Sequence, residues 1–409
     1  MRKQIIFLSL ISLVLIMSGC AKENLAIDAD YPGGNILVER IDGDTVFLKQ
    51  DLRDTEGWWF YWNFRVRGAA GRTLTFNMDS GRNPTGALSP ICSRGPAVST
   101  DGGETWSWLG LESENSASFS FTFPDDNQET RFCLAMPYQE ANLHNFLETH
   151  TSNPSLSVEE LCKTRKNRSV EMIRVGKIEG NTKHRMLLTC RHHSCEMMAS
   201  YSLEGIIETV LSDSEDGVWF RENVEVLAVP FMDKDGVEDG DQGKNRKPYD
   251  HNRDYEGTSI YPSVAALREL VPEWSGGKLH FAMDMHSPYV GGGVDELGGP
   301  EQIFFVGGAS EKNWENVYEF TTILEETQRG PLKYSTKHNM PWGVGWNTIE
   351  GKSSNGKWTE TLPGILVGSS LELPYGNAGG NAVTAESARA FGRDLARAAR
   401  LYLEKYTDR

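Results

Sequence analysis

Two rhythms of apolar and polar residues divide the chain. From residue 25 to about 150 the text is made of strand-sized runs separated by turns. Ala117–Phe123 alternates strictly, which puts Phe119, Phe121 and Phe123 on one face. Thr73–Asn77 alternates in the same way, and Trp58–Arg67 is dense in aromatic and β-branched residues. Pro32-Gly33-Gly34, Asp101-Gly102-Gly103 and Pro124-Asp125-Asp126 are turn signals around these runs. Many short strands with regular turns predict an antiparallel β-sandwich over residues 20–150. Its tryptophans fit either the sandwich core or a carbohydrate platform.

From residue 169 to 409 the rhythm becomes strand–helix alternation. Arg185–Cys190, Val224–Phe231, His280–Met285, Gln302–Val306 and Ile365–Leu373 read as strands. Met197–Leu211 has helical spacing, and a last helix opens at Thr384 with Phe391, Leu395 and Tyr402 on one stripe. Such alternation predicts an α/β fold, a mixed central sheet with helices on both faces. Residues 151–168 are polar and charged and read as the connection between the halves.

The first 19 residues read as a leader. Arg2 and Lys3 precede an apolar run, Ile5–Met17, that is too short to span a bilayer, and small residues then lead into Cys20. Met17-Ser18-Gly19-Cys20 resembles a bacterial lipobox, which implies acylation of Cys20, anchoring in a lipid bilayer and an address in the cell envelope. Several acyl chains anchor stably where one does not. With no aspartate after Cys20, the outer membrane is the favoured surface.

Charge narrows the partners. The chain carries −16 at pH 7, which argues against nucleic acid. Five cysteines follow Cys20; Cys92 and Cys133 are the best disulfide candidates, and Cys195 is expected to be free. No Cys-x-x-Cys spacing points to a thiolate metal site.

The candidate chemistry lies at strand ends. His193-Ser194-Cys195-Glu196 sits between a strand and a helix, where an imidazole and a carboxylate three residues apart reach one point. Open α/β sheets carry their sites at such ends. His286 closes the strand ending Asp284-Met285-His286 and supplies a third ligand, with Asp284 as support for its ring. Asn252 and Arg253 place an amide beside a planar guanidinium, either a pair that grips a carboxylate or a solvated loop pair. Glu372 puts a carboxylate at an apolar strand end, either paired with a cation or acting as a base.

Taken together in this order, His193, Glu196, Asn252, Arg253, His286 and Glu372 resemble the motifs of the M14, or funnelin, metallocarboxypeptidases. Trp59-Phe60-Tyr61, Phe132–Tyr138 and Asn167–Glu171 resemble the segments ahead of the catalytic domain in cytosolic-carboxypeptidase-like members. The resemblance implies one Zn2+ on His193, Glu196 and His286, and Glu372 as the general base. It also implies Asn252 and Arg253 on the terminal carboxylate of a peptide with a free C-terminus. The family's carbonyl-polarising arginine is assigned to Arg246, with Lys244 as the alternative. No tyrosine before Glu372 matches the one that caps substrate in the digestive branch, and Tyr375 is a weak substitute. His192, His251 and His338 are read as structural or solvent-exposed. Lys357, ahead of Glu372, is either a solvated loop residue or a lining residue that favours an acidic terminal side chain. Two alternatives stay open: cleavage of a cell-wall stem peptide by the same fold, and a non-catalytic envelope protein that binds glycans.

Overall fold

The computed structural model describes residues 24–78, 89–110, 117–126, 128–290, 298–347 and 353–406. The leader and Cys20 lie outside the described residues.

The first half is a two-sheet sandwich. One sheet holds β1 (Ala26–Asp28), β4 (Asn63–Arg67), β6 (Ala97–Ser99), β7 (Ser107–Trp108) and β9 (Glu129–Cys133) in the order β1-β4-β9-β6-β7. The other holds β2 (Leu37–Asp42), β3 (Thr45–Lys49), β5 (Thr73–Met78) and β8 (Ser118–Thr122) in the order β2-β3-β5-β8. One detail departs from the antiparallel expectation: β3 and β5 run parallel. The intervening β4 belongs to the opposite sheet, so the chain crosses over and returns in the same direction. The aromatic alternation read from sequence builds the core. Phe64 and Phe132 from the first sheet meet Phe76 and Phe119 from the second, with Phe76 5.3 Å from Phe132 and 5.0 Å from Phe119 between ring centroids. Each such pair adds about 0.5–1.5 kcal/mol beyond its buried area. The Cys92–Cys133 pairing is not formed: among the described residues all five cysteines are free. Cys92 donates its thiol to Leu134 O instead.

After α1 (Glu140–Glu148) comes the stretch expected as a connection. It holds β10 (Leu156–Lys163), an edge strand of the seven-stranded sheet of the second half. That sheet continues with β11 (Ser169–Gly176), β12 (His184–Cys190), β13 (Val224–Val229), β14 (Leu279–His286), β15 (Phe304–Val306) and β16 (Val367–Glu372), in the order β10-β11-β13-β12-β14-β16-β15. The inner four strands are parallel and the outer pairings antiparallel. Side chains of β12 alternate between two cores, as a strand buried on both faces must. Met186, Leu188 and Cys190 pack with α2 (Met198–Leu211), α3 (Glu215–Asn223), α6 (Glu311–Thr327) and α8 (Ala385–Glu404). Leu187 packs on the other face with α5 (Pro262–Ser275), near α7 (Asn355–Thr359). The helix α4 (Lys234–Asp239) follows β13 directly.

Helices α2 and α8 cross at two glycines. A Cβ on Gly205 would stand 2.0 Å from Arg389 O, and one on Gly392 would stand 2.0 Å from Ser202 O. Thr384 caps α8 as its sequence predicts, in a reciprocal box with Ser387.

Candidate metal centre

Because β12, β14 and β16 are parallel neighbours, their carboxyl ends deliver three chemical groups to one place. The register pairs Cys190 with Met285 and His286 with Glu372. After Cys190 the chain turns sharply through Arg191, which has φ +59° and is fully buried. Its guanidinium donates to Ser194 O and to Tyr138 O (2.7 Å), closing the His193–Glu196 turn and tying it to the segment before α1.

His193, Glu196 and His286 come together. His193 Nδ1 is 3.0 Å from Glu196 Oε1, and His286 Nδ1 is 2.6 Å from Glu196 Oε2. The three ligand atoms lie within 4.8 Å of one another. Both rings present Nδ1 inward and turn Nε2 to a carboxylate. His286 Nε2 is 2.5 Å from Asp284 Oδ2, and His193 Nε2 is 3.6 Å from Asp250 Oδ1. This is how ligating histidines are usually oriented.

Asp284 is expected from the sequence as support, whereas Asp250 is missed by it. Its signal is its place two residues before Asn252, in the same loop as the Asn-Arg pair.

A second grouping, His192, Asp284 and His286, is equally compact. It is closed off: His192 and Asp284 are fully buried, with His192 Nδ1 2.7 Å from Asp284 Oδ1 and Nε2 2.6 Å from Tyr255 Oη. The structural reading of His192 thus gains a content, that of holding Asp284. Of these side chains His193 and the shared His286 line the cleft, whereas His192 and Asp284 do not.

The donor set suits Zn2+: two imidazole nitrogens and a carboxylate, with Glu372 beside them. Glu372 is buried, and its Oε2 has no hydrogen-bond partner among the described residues. Burial, offset in part by His286, pushes its carboxyl up to about 7. Burial works to raise the pKa of Glu196 too, but His193, Lys244 and His286 hold it well below the carboxylate range. Burial opposes charge on His286, yet Asp284 and Glu196 raise its pKa well above the ordinary value. Carboxylates from three directions thus demand a cation at this point.

The cleft has a volume of about 240 Å3 and is lined by Trp59, Lys244, Asn252, Arg253, Lys357 and Glu372 besides the two histidines. The choice of Arg246 is corrected here. Arg246 does not reach the cleft; it is held by Asp54 (2.9 Å), Asp233 (2.6 Å) and Asp241 (2.8 Å). The cation at the site is Lys244, with Nζ 2.7 Å from Glu196 Oε1 and 5.6 Å from the Trp59 ring centre.

Asn252 and Arg253 are both at the cleft, but they differ. The Asn252 side chain is engaged in the site itself: its oxygen accepts from Asn355 N (2.9 Å), and its amide nitrogen is 3.1 Å from His286 Nε2. Arg253 donates to Asn252 O and, among the described residues, is in no ion pair.

Lys357 lies 4.3 Å over the Trp342 ring, at the cleft wall. Tyr375 is no substrate cap: it is buried, with its hydroxyl 3.8 Å from Cys195 Sγ and its ring edge-on to Phe60. His251 is buried in a separate cluster, stacked 3.6 Å from Tyr261, and His338 is half-buried in a short turn far along the chain.

Comparison with known proteins agrees with this geometry. The family described as zinc carboxypeptidase, Peptidase_M14, matches residues 143–265, which include His193, Glu196, Lys244, Asn252 and Arg253. Cytosolic carboxypeptidase 2 of Xenopus tropicalis is 26% identical over 167 residues, covering 38% of this chain and 17% of that protein. An uncharacterized protein of Zymomonas mobilis is 25% identical over 271 residues, covering 64% of this chain and 67% of its own. The chain therefore spans less than a fifth of the cytosolic carboxypeptidase it matches. The metallo-carboxypeptidase of Burkholderia cenocepacia superimposes with a TM-score of 0.76 at 18% identity, over 94% of this chain and 100% of that one. That of Pseudomonas aeruginosa, solved with (2-guanidinoethylmercapto)succinic acid, gives 0.71 at 18% identity, over 93% and 100%. These two likenesses establish the fold across both halves. The zinc carboxypeptidase match spans the metal turn and the Asn-Arg pair, and the sheet register brings His286 and Glu372 to the same point, so over residues 143–265 the chain is similar to the M14 zinc carboxypeptidases and it shares their fold.

Proposed function

We propose that this protein is a zinc-dependent exopeptidase that hydrolyses the last peptide bond of substrates with a free C-terminus. The observation that carries the reading is Glu372, a buried carboxylate at the strand level of His286 with one oxygen that has no partner among the described residues. A zinc ion on His193, Glu196 and His286 supplies Lewis-acid polarisation and makes water easier to deprotonate. Glu372 takes the proton of the attacking water and returns it to the leaving amine. Lys244 brings positive charge to the oxygen of the scissile carbonyl as negative charge develops there. Arg253 offers its planar donors to the substrate carboxylate, while Asn252 steadies His286. Asp250 and Asp284 keep the two ligating rings in orientation. The expected acylation of Cys20 and an outer-membrane address belong to the same proposal and rest on residues 1–20 alone.

The test compares one peptide with a free and with an amidated C-terminus, using zinc-loaded protein. Cleavage of the free form only is expected, with Glu372→Gln retaining zinc and losing at least about 100-fold in kcat. Equal rates on both peptides refute the exopeptidase reading, and full activity in Glu372→Gln refutes the base.

A further inference from the structure

Lys244 sits on a loop that touches both halves of the molecule. On one side the loop lies against the metal turn. Cys195 N donates to Gln242 O at 3.3 Å, and Ser194 Oγ donates to Asp241 O at 2.8 Å. Gly243 has φ +73° and passes so close that a Cβ there would stand 2.2 Å from Ser194 N. On the other side the loop is held by the sandwich half. Asp54 accepts from Gln242 N (3.0 Å), Gly243 N (2.9 Å) and Arg246 Nε (2.9 Å). The Gln242 side chain pairs with the Tyr61 backbone, accepting from Tyr61 N and donating to Tyr61 O, each at 2.8 Å. Glu56 N donates to Asn245 O at 3.2 Å. Trp59, from the same sandwich segment, lies beside the Lys244 ammonium.

A lysine ammonium is a point charge on a flexible stem, so its aim depends on where its backbone is fixed. Here the residues on both sides of Lys244 are bound to one carboxylate, and bonds to an ionised acceptor are the strong kind. We propose that Asp54 is the positioning residue for Lys244, which makes the N-terminal sandwich a working part of the catalytic centre. The inference rests on the role given to Lys244 in the proposed function. Asp54→Asn keeps the shape but loses the charge, and it turns an N–H toward three groups that are all donors: Gln242 N, Gly243 N and Arg246 Nε.

Two measurements test this on the full zinc-loaded chain. In the first, Asp54→Asn is combined with Lys244→Met. Asp54→Asn alone is expected to keep one zinc per chain and to lower kcat about 10–100-fold, with KM within about threefold, as befits a transition-state interaction. In the Lys244→Met background it is expected to cost less than about twofold, because its effect runs through the missing ammonium. A general loosening of the fold would cost the same in both backgrounds, and that result overturns the proposal. In the second, an amine-reactive reagent and mass spectrometry measure the labelling rate of Lys244. Asp54→Asn is expected to raise it several-fold while Lys357 labels as before; an unchanged Lys244 rate overturns the proposal. Should Asp54→Asn fail to bind zinc, Asp54→Ser, shorter and still an acceptor, is carried through both measurements. If the zinc-loaded wild type cleaves no peptide, the proposed function falls, and the labelling rates alone decide whether Asp54 positions Lys244.

Discussion

Replacing Arg246 with methionine separates a structural cation from a working one. Arg246 is only 13% exposed and is ringed by Asp54, Asp233 and Asp241, all within 2.9 Å. Removing one partner of a buried ion pair costs about 3–5 kcal/mol, because an uncompensated charge is left behind. At about 1–2 °C per kcal/mol for a chain of this size, Arg246→Met should melt about 3–10 °C lower at pH 7. The loss should also depend on pH. Burial and the neighbouring Asp54 already push Asp241 up to about 6, against the pull of Arg246 and Arg53. Burial likewise works to raise Asp233, and Arg246 more than offsets it. Without the guanidinium the folded-state values of Asp233 and Asp241 rise above those of the unfolded chain. The folded variant then binds more protons than the unfolded one, so its stability falls as pH rises through that range. Thermal unfolding followed by circular dichroism at pH 5 and pH 7 should show the smaller penalty at pH 5. Below the new melting temperature, kcat per zinc-loaded molecule should fall less than in Lys244→Met. A variant that melts like wild type at pH 7 yet loses more than about 100-fold in kcat would refute the cage reading and restore Arg246 as the polarising group.

Three further outcomes are expected. Arg253→Gln should raise KM for a free-terminus peptide about 10–100-fold, since bonds between charged groups contribute about 1.5–3 kcal/mol; an unchanged preference for free over amidated termini would remove Arg253 from the carboxylate site. Lys357→Glu, profiled on a peptide library varied at its last residue, should shift selectivity away from acidic termini, and no shift means that Lys357 does not read that side chain. Cys20→Ser should move the protein from the detergent phase to the aqueous phase on expression in a Gram-negative bacterium; a wild-type protein that is already aqueous argues against the anchor.

The parts of this site that were legible in the sequence share one property. His193, Glu196, His286 and Glu372 each stand at the end of an apolar run, and a parallel sheet brings such ends together whatever lies between them. What was not legible depends on partners distant in sequence. Arg246 and Lys244 are two residues apart in the same polar loop, and chemistry favours the guanidinium. Which of them faces the metal is decided by Asp54, 192 positions upstream, and by the Gln242–Tyr61 pair. No local pattern marks those contacts. The edge strand β10 was missed for a related reason. Glu159 and Glu160 are exposed, and a solvated edge strand carries the polar text of a linker. Trp58–Tyr61 shows the converse error, since aromatic text that reads as a strand runs up to β4 outside the sheet and brings Trp59 to the cleft. The second misreading falls on the seam between the halves. Ligands and base are fixed by one sheet, whereas the cation beside them is fixed by the packing of two domains. A substitution in the sandwich is therefore expected to leave zinc binding intact and still slow the chemistry.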